Sequence, residues 1–239
     1  MTASLNEKKT QNIVFNFTKD HQFTSEISLK NEKLVTVKKT KLLGVIITDD
    51  LKWQENTKHI VKNANKKMRM LHKFSKFTKN KSHLMHIFKS QVRGSLEYCS
   101  SVWHSSLTES DCNDIERVQK AAMKVIMGTR YQGYEEALKF MKIDSLRQRR
   151  LKTALRFAKK SVRHVSFSSV FPLHKNDHSM MTRNPAKYVV KNSKTERMKR
   201  SAVPFLQRLL NEDNEKQKKD LISLLQVNNG VCNNAPITY

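Results

Sequence analysis

Trp53-Gln-Glu-Asn-Thr-Lys-His-Ile-Val-Lys-Asn-Ala-Asn-Lys-Lys-Met-Arg-Met-Leu-His-Lys-Phe-Ser-Lys-Phe77 is the stretch in which the hydrophobic period changes from two to about 3.6. Trp53, Ile60, Ala64, Met68 and Leu71 share one helical face, while Lys58, Lys62, Lys66, Arg69, Lys73 and Lys76 cluster within about 80° of arc opposite. This pattern predicts an amphipathic helix with one packing side and one basic stripe. Acids are scarce around it: from Trp53 to His104 only Glu55 and Glu97 oppose eleven cations. Pairing along the helix cannot balance such a stripe, and like charges repel unless a polyanion lies against them.

Downstream the helical period continues. A second helix is expected from about Ser82 to Val102, with Leu84, Ile87, Phe88, Gln91, Ser95 and Leu96 along one side. Thr108-Glu-Ser-Asp111 resembles a capping signal, with Asp where Glu or Gln is usual; it precedes an apolar stripe of Ile115, Val118, Ala122, Val125 and Ile126, and Gly128 is a natural stop. A short helix is expected around Tyr134 to Met141. Ser145-Leu-Arg-Gln148 opens another, with Leu151, Ala154, Leu155, Ala158 and Val162 inward and a second basic stripe of Arg149, Lys152, Arg156, Lys160 and Arg163 outward. Beyond Val165 the period weakens, a short helix returns at Val203 to Asn211, and the Asn-rich end from about 228 reads as a disordered tail.

Upstream the pattern is that of strands. Thr10-Gln-Asn-Ile-Val-Phe-Asn-Phe17, Leu34-Val-Thr-Val37 and Leu42-Leu-Gly-Val-Ile-Ile-Thr48 are rich in β-branched and aromatic residues, and Lys30-Asn-Glu-Lys33 is a candidate hairpin turn. Gly44 inside the last run points to a bulge or a close approach of another backbone. The expected class is therefore α+β, mainly α: a β-rich segment over 1–52, a helical region over 53–164 and an irregular region over 165–239.

Composition agrees with this class. The 239 residues carry 46 Lys+Arg against 21 Asp+Glu, a formal charge of +25, yet only 5 Gly and 4 Pro, too few for the turns of a many-stranded sandwich or barrel. The charge is spread as +3, +9, +7 and +6 over 1–52, 53–104, 105–164 and 165–239, so it belongs to folded elements rather than to a basic tail. No apolar run is long enough for a membrane span and no leader pattern opens the chain. Cys99, Cys112 and Cys232, an odd number without Cys-x-x-Cys, fit reduced thiols; a nuclear or cytoplasmic, non-secreted protein is expected.

Catalytic candidates are few. Asp49-Asp50 could hold Mg²⁺ only with a further converging carboxylate, and it reads instead as a solvated turn before the Trp53 helix. His83 and His86, or Cys99, His104 and Cys112, lack the paired spacing of a zinc site. Neither a Gly-rich phosphate loop nor a Gly-x-Ser-x-Gly elbow occurs. Nucleic acid is the favoured partner of the basic faces, met mainly through phosphates; anionic membrane is disfavoured because the apolar faces serve a core.

Ser4-Leu-Asn-Glu-Lys-Lys-Thr10 with Phe15, then Lys41-Leu-Leu-Gly-Val-Ile46 and Leu51-Lys-Trp53, resemble in order and spacing the end of the palm of reverse transcriptases from non-LTR (LINE-type, jockey-like) retrotransposons. Leu96-Glu-Tyr-Cys-Ser-Ser-Val-Trp103, Glu116-Arg-Val-Gln-Lys-Ala121, Leu146 with Arg149 and Arg150, and Thr182-Arg-Asn184 extend the likeness to about residue 210, through the thumb and C-terminal region. The resemblance implies that Asn6, Lys9 and Thr10 follow the catalytic hairpin, that Leu43-Gly44-Val45 is the hairpin supporting the primer end, and that the helices from Trp53 form a thumb gripping template and primer. The family's polymerase binds two Mg²⁺ through an aromatic-x-Asp-Asp pair and an earlier Asp, all upstream of the part matched here. Asp49-Asp50 lies after the Leu-Gly-Val element and is not that pair. The expectation is a nucleic-acid-binding fragment of an RNA-directed DNA polymerase, not an enzyme alone and without a cofactor, Mg²⁺ entering only if an upstream palm is supplied. Alternatives are the thumb of an active enzyme completed by an upstream segment or partner, and a non-functional translated remnant.

Overall fold

The structure is a computed structural model that describes residues 6, 10–17, 26–29, 32–173, 187–190, 192–214 and 216. The tail expected from about 228, Cys232, Thr182-Arg-Asn184 and most of the Ser4 to Lys9 stretch lie outside these residues. The chain is mainly helical with short N-terminal strands, the α+β class expected.

The strands are shorter than their composition predicts. Only Gln11–Asn12 (β1) of the first run is a strand, paired in parallel with Val35–Thr36 (β4), and Ser28–Leu29 (β2) pairs antiparallel with Glu32–Lys33 (β3). The apolar run at 42–48 is not one strand with a bulge. It is cut by a two-residue turn into Lys39–Leu42 (β5) and Val45–Thr48 (β6), an antiparallel hairpin in which Leu42 faces Val45 and Lys39 faces Thr48. Leu43 (φ 46) and Gly44 (φ 87) are both left-handed, as the tightest hairpin turn requires to match strand twist.

Trp53 precedes the long helix α1, Gln54–Phe77. Ile60, Ala64, Met68 and Leu71 are buried along it, each large side chain contributing roughly 1.5–3 kcal/mol by leaving water. The stretch expected as one helix from Ser82 to Val102 is segmented: Lys81–Ile87 (α2), a π-helical Phe88–Arg93, Gly94–Glu97 (α3), a left-handed break at Cys99 (φ 50) and Ser100–Trp103 (α4). Wider π turns rotate the buried side by a residue, so Val92 is buried and Gln91 exposed.

Glu109–Met127 (α5) begins and ends where its signals place it. Thr108 Oγ1 accepts from Asp111 N at 3.1 Å while Asp111 Oδ2 accepts from Thr108 N at 3.2 Å, and Gly128 (φ 57) stops the helix. Tyr134–Met141 is α6, and Leu146–Val162 is α7, started by a reciprocal Ser145–Gln148 box. Glu116 of α5 also caps α7: its carboxylate accepts from the backbone N–H groups of Leu146 at 3.0 Å and Arg147 at 3.2 Å, and from the Tyr134 hydroxyl. Burial and then that bond push the Tyr134 phenol far above its ordinary value.

Two compact units result, residues 1–150 and 151–239, dividing within α7 rather than at the pattern changes near 52 and 164. The core of the first unit runs from Val45 through α1, α2 and α5 to Leu146. In the second, Ala154 and Ala158 pack with Phe171, Tyr188, Leu206, Leu209 and Leu210, the last three from a helical stretch at 202–214. Ahead of that stretch lies the short α8, Glu196–Arg200.

Candidate nucleic-acid interface

All six cations of the α1 stripe are exposed. At about 1.5 Å of rise per residue, Lys58 to Lys76 spans about 27 Å, with i,i+4 neighbours about 6 Å apart along the axis. The stripe does not stand alone. Lys58, Lys62, Lys66 and Arg69 line a groove of about 620 Å³ between α1 and α5, with Val61, Val118 and Ala121 among its apolar residues and Arg117 on its α5 side. Its one carboxylate, Asp114, is held by Arg117 at 2.9 Å. Among the described residues Lys58 is the one stripe cation in an ion pair, with Glu55 at 2.9 Å, and Glu55 also meets Lys39 at 3.5 Å. The Lys58 hydrogen bond and charge, then those of Lys39, hold the Glu55 carboxyl below its ordinary value.

The sequence pattern did not single out Arg117. Its spacing with Lys120 and Lys124, at i, i+3 and i+7 on the outer side of α5, was the available signal. Lys120 and Lys124 are exposed and lie over the rings of Tyr134 and Tyr131, at 5.3 and 5.8 Å from their centroids.

The second stripe is less uniform. Lys152, Arg156, Lys160 and Arg163 are exposed, but Arg149 is half-buried and forks onto Glu97 of α3, Nε to Oε1 at 2.7 Å and Nη2 to Oε2 at 3.1 Å. That bond raises the Arg149 pKa above its ordinary value, and Arg93 shares the carboxylate at 3.8 Å. Arg149 is thus a strut within the first unit, and the stripe proper starts at Lys152. Its neighbour Arg150 is fully buried, with Nε donating to His104 Nδ1 at 3.4 Å. Burial, then the charges of Arg150 and Arg147, lower the His104 pKa to about 4.

The three hairpin residues split in the same way. Leu43 is 82% exposed at the tip, whereas Val45 is buried in the core. Tyr98 fixes the turn: its hydroxyl donates to the Leu43 carbonyl at 2.9 Å, and a Cβ on Gly44 would meet its Cε1 at 3.1 Å. The Trp103 indole, fully buried, donates to the Tyr98 carbonyl at 3.0 Å. Ile46 N donates to Asn56 Oδ1 at 3.2 Å, so the hairpin is tied both to α1 and to the α3–α4 junction.

Asp50 is engaged locally. Its Oδ1 accepts from the Thr48 hydroxyl at 2.7 Å and from Lys52 N at 3.0 Å, and the Lys52 ammonium lies 3.2 Å from Oδ2. Burial alone would raise its pKa, but the Thr48 and Lys52 interactions outweigh burial and hold the carboxyl below its ordinary value. His83 and His86 are exposed on α2, Cys99 is exposed and Cys112 buried; among the described residues no three His, Cys, Asp or Glu converge as metal ligands. Nor is any helix among them long and apolar enough to cross a membrane. Set against known protein families, curated proteins and solved structures, the chain matches none.

Proposed function

We propose that this chain binds the phosphate backbone of RNA or DNA, without sequence preference, through the exposed face of α1 and the groove it forms with α5. The observation that carries the reading is the groove itself, where Lys62, Lys66 and Arg69 meet Arg117 around an apolar floor and the one acid among the described lining residues is already paired. A surface of like charge along about 27 Å of rigid helix is costly to leave unpaired and matches a regularly charged polymer. Lys152, Arg156, Lys160 and Arg163 supply a second, weaker contact. On the resemblance given above, the chain is the end of the palm and the thumb of a LINE-type reverse transcriptase. Its contribution is then to hold nucleic acid, because its 239 residues include no aromatic-x-Asp-Asp.

The test is binding of a labelled duplex of arbitrary sequence by fluorescence polarisation across a salt series. With six phosphates neutralised, log K falls with log salt with a slope of about −5. Two unrelated sequences should bind equally. A slope near zero, or strong preference for one sequence, contradicts the reading. A primer-extension assay with Mg²⁺ on the isolated chain should yield no product.

A further inference from the structure

The α1 stripe ends at Lys76, beside a second cavity. Ser75 of α1's last turn, Thr78 just beyond it and the loop that follows line a pocket of about 710 Å³, bounded on the other side by the end of α5 and by α6, well within the size of small-ligand sites. Lys79, Lys81 and Arg130 supply positive charge, Leu84, Val125 and Phe140 apolar surface, and among the described residues no carboxylate lines it. Among the described residues Lys79 Nζ reaches only the Ser75 carbonyl, at 3.4 Å. The Lys81 ammonium is withdrawn from solvent, has no hydrogen-bond partner among the described residues and sits 4.8 Å over the Phe140 ring. Phe140 itself is 59% exposed, a large aromatic surface left uncovered beside three cations.

Cations alone would take any anion. The mixed lining favours an anion with a flat apolar body, and an open ring backed by a cation is a stacking surface for a planar group. Lys73 and Lys76 are exposed in the last turns of α1, within one turn of Ser75, which lines this pocket. We propose that the pocket takes one unpaired nucleotide of a nucleic acid held on α1, its phosphate on Lys79 and Arg130 and its base against Phe140. This rests on the backbone-binding reading of α1 and adds what that reading lacks, a preference for an unpaired end over a closed duplex. A base must leave its stack to meet Phe140, so a blunt duplex cannot use the site.

The experiment compares the full chain's affinity for a blunt duplex and for the same duplex carrying a short single-stranded tail. The tailed form should bind about tenfold more tightly, the effect of one stacked base. Phe140→Ala and, separately, Arg130→Gln should abolish that preference while leaving the blunt-duplex affinity and its salt slope unchanged, both residues being exposed. Equal affinity of the unaltered chain for both duplexes overturns the proposal, as does a Phe140→Ala loss that is equal on both. Absence of salt-dependent binding to either duplex sinks the backbone reading and this one together. Binding of phosphatidylserine vesicles that Phe140→Ala abolishes, without any tail preference, would assign the pocket to lipid instead.

Discussion

α1 and α7 carry the same sequence pattern, a basic face opposite an apolar one, and they use their cations differently. On α1 all six stripe residues remain at the surface, and four of them line a groove to which another helix adds Arg117. On α7 the first stripe residue, Arg149, is taken by Glu97, the adjacent Arg150 is buried, and Lys159 is paired with Asp213 at 2.8 Å. The acids that make this difference lie more than fifty residues away in sequence for each of Arg149 and Lys159. A helical wheel shows which face a cation occupies; whether that cation is left for a ligand depends on acids brought in by other elements.

The comparison is broken or sharpened first by charge removal. Replacing Lys58, Lys62, Lys66 and Lys73 by Gln should make the salt slope shallower by about 3 to 4, whereas the same treatment of Lys152, Arg156, Lys160 and Arg163 should cost about half as much. Equal losses would mean that α1's groove confers nothing. Next, Glu97→Ala strips Arg149 and Arg93 of their carboxylate in a partly buried setting and should destabilise the fold by about 3 kcal/mol in urea unfolding. If the freed Arg149 then joined the ligand contact, the salt slope would steepen by about one.

His104 provides a pH test of the α7 side. Its folded pKa of about 4 lies below the ordinary 6.5, so the unfolded chain binds the extra proton and stability falls as pH drops through that window. About 2 kcal/mol should be lost between pH 7 and pH 5, and His104→Gln should remove that part of the loss. A stability profile identical in the variant would show that the imidazole is not held neutral. The hairpin gives two further tests. Gly44→Ala, strained at φ 87 and crowding Tyr98, should cost about 1–3 kcal/mol, and Tyr98→Phe about 1 kcal/mol through the lost hydrogen bond to Leu43.

Where local chemistry decides an element, the sequence was readable. Thr108 with Asp111, Gly128, and Ser145 with Gln148 bound their helices as their side chains predict, because a cap is made within four residues. The α1 stripe was readable for the same reason of short period. What was not readable depends on distant partners. The helix expected over 82–102 breaks at Cys99, where the backbone turns left-handed and Tyr98 reaches back 55 residues to Leu43. Glu116 and Gln119, part of a family-like motif, turn out to serve the fold: Glu116 caps α7, and Gln119 donates to the Asp144 carbonyl at 3.1 Å. The groove that makes the α1 stripe a site exists only once α5 lies beside it.

The most direct test of the account is the salt dependence of duplex binding, measured in parallel for the unaltered chain and for the Lys58, Lys62, Lys66 and Lys73 to Gln variant. The account predicts a slope of about −5 for the first and about −1 to −2 for the second, with thermal unfolding of the variant at no lower temperature. Equal slopes for the two proteins would contradict it.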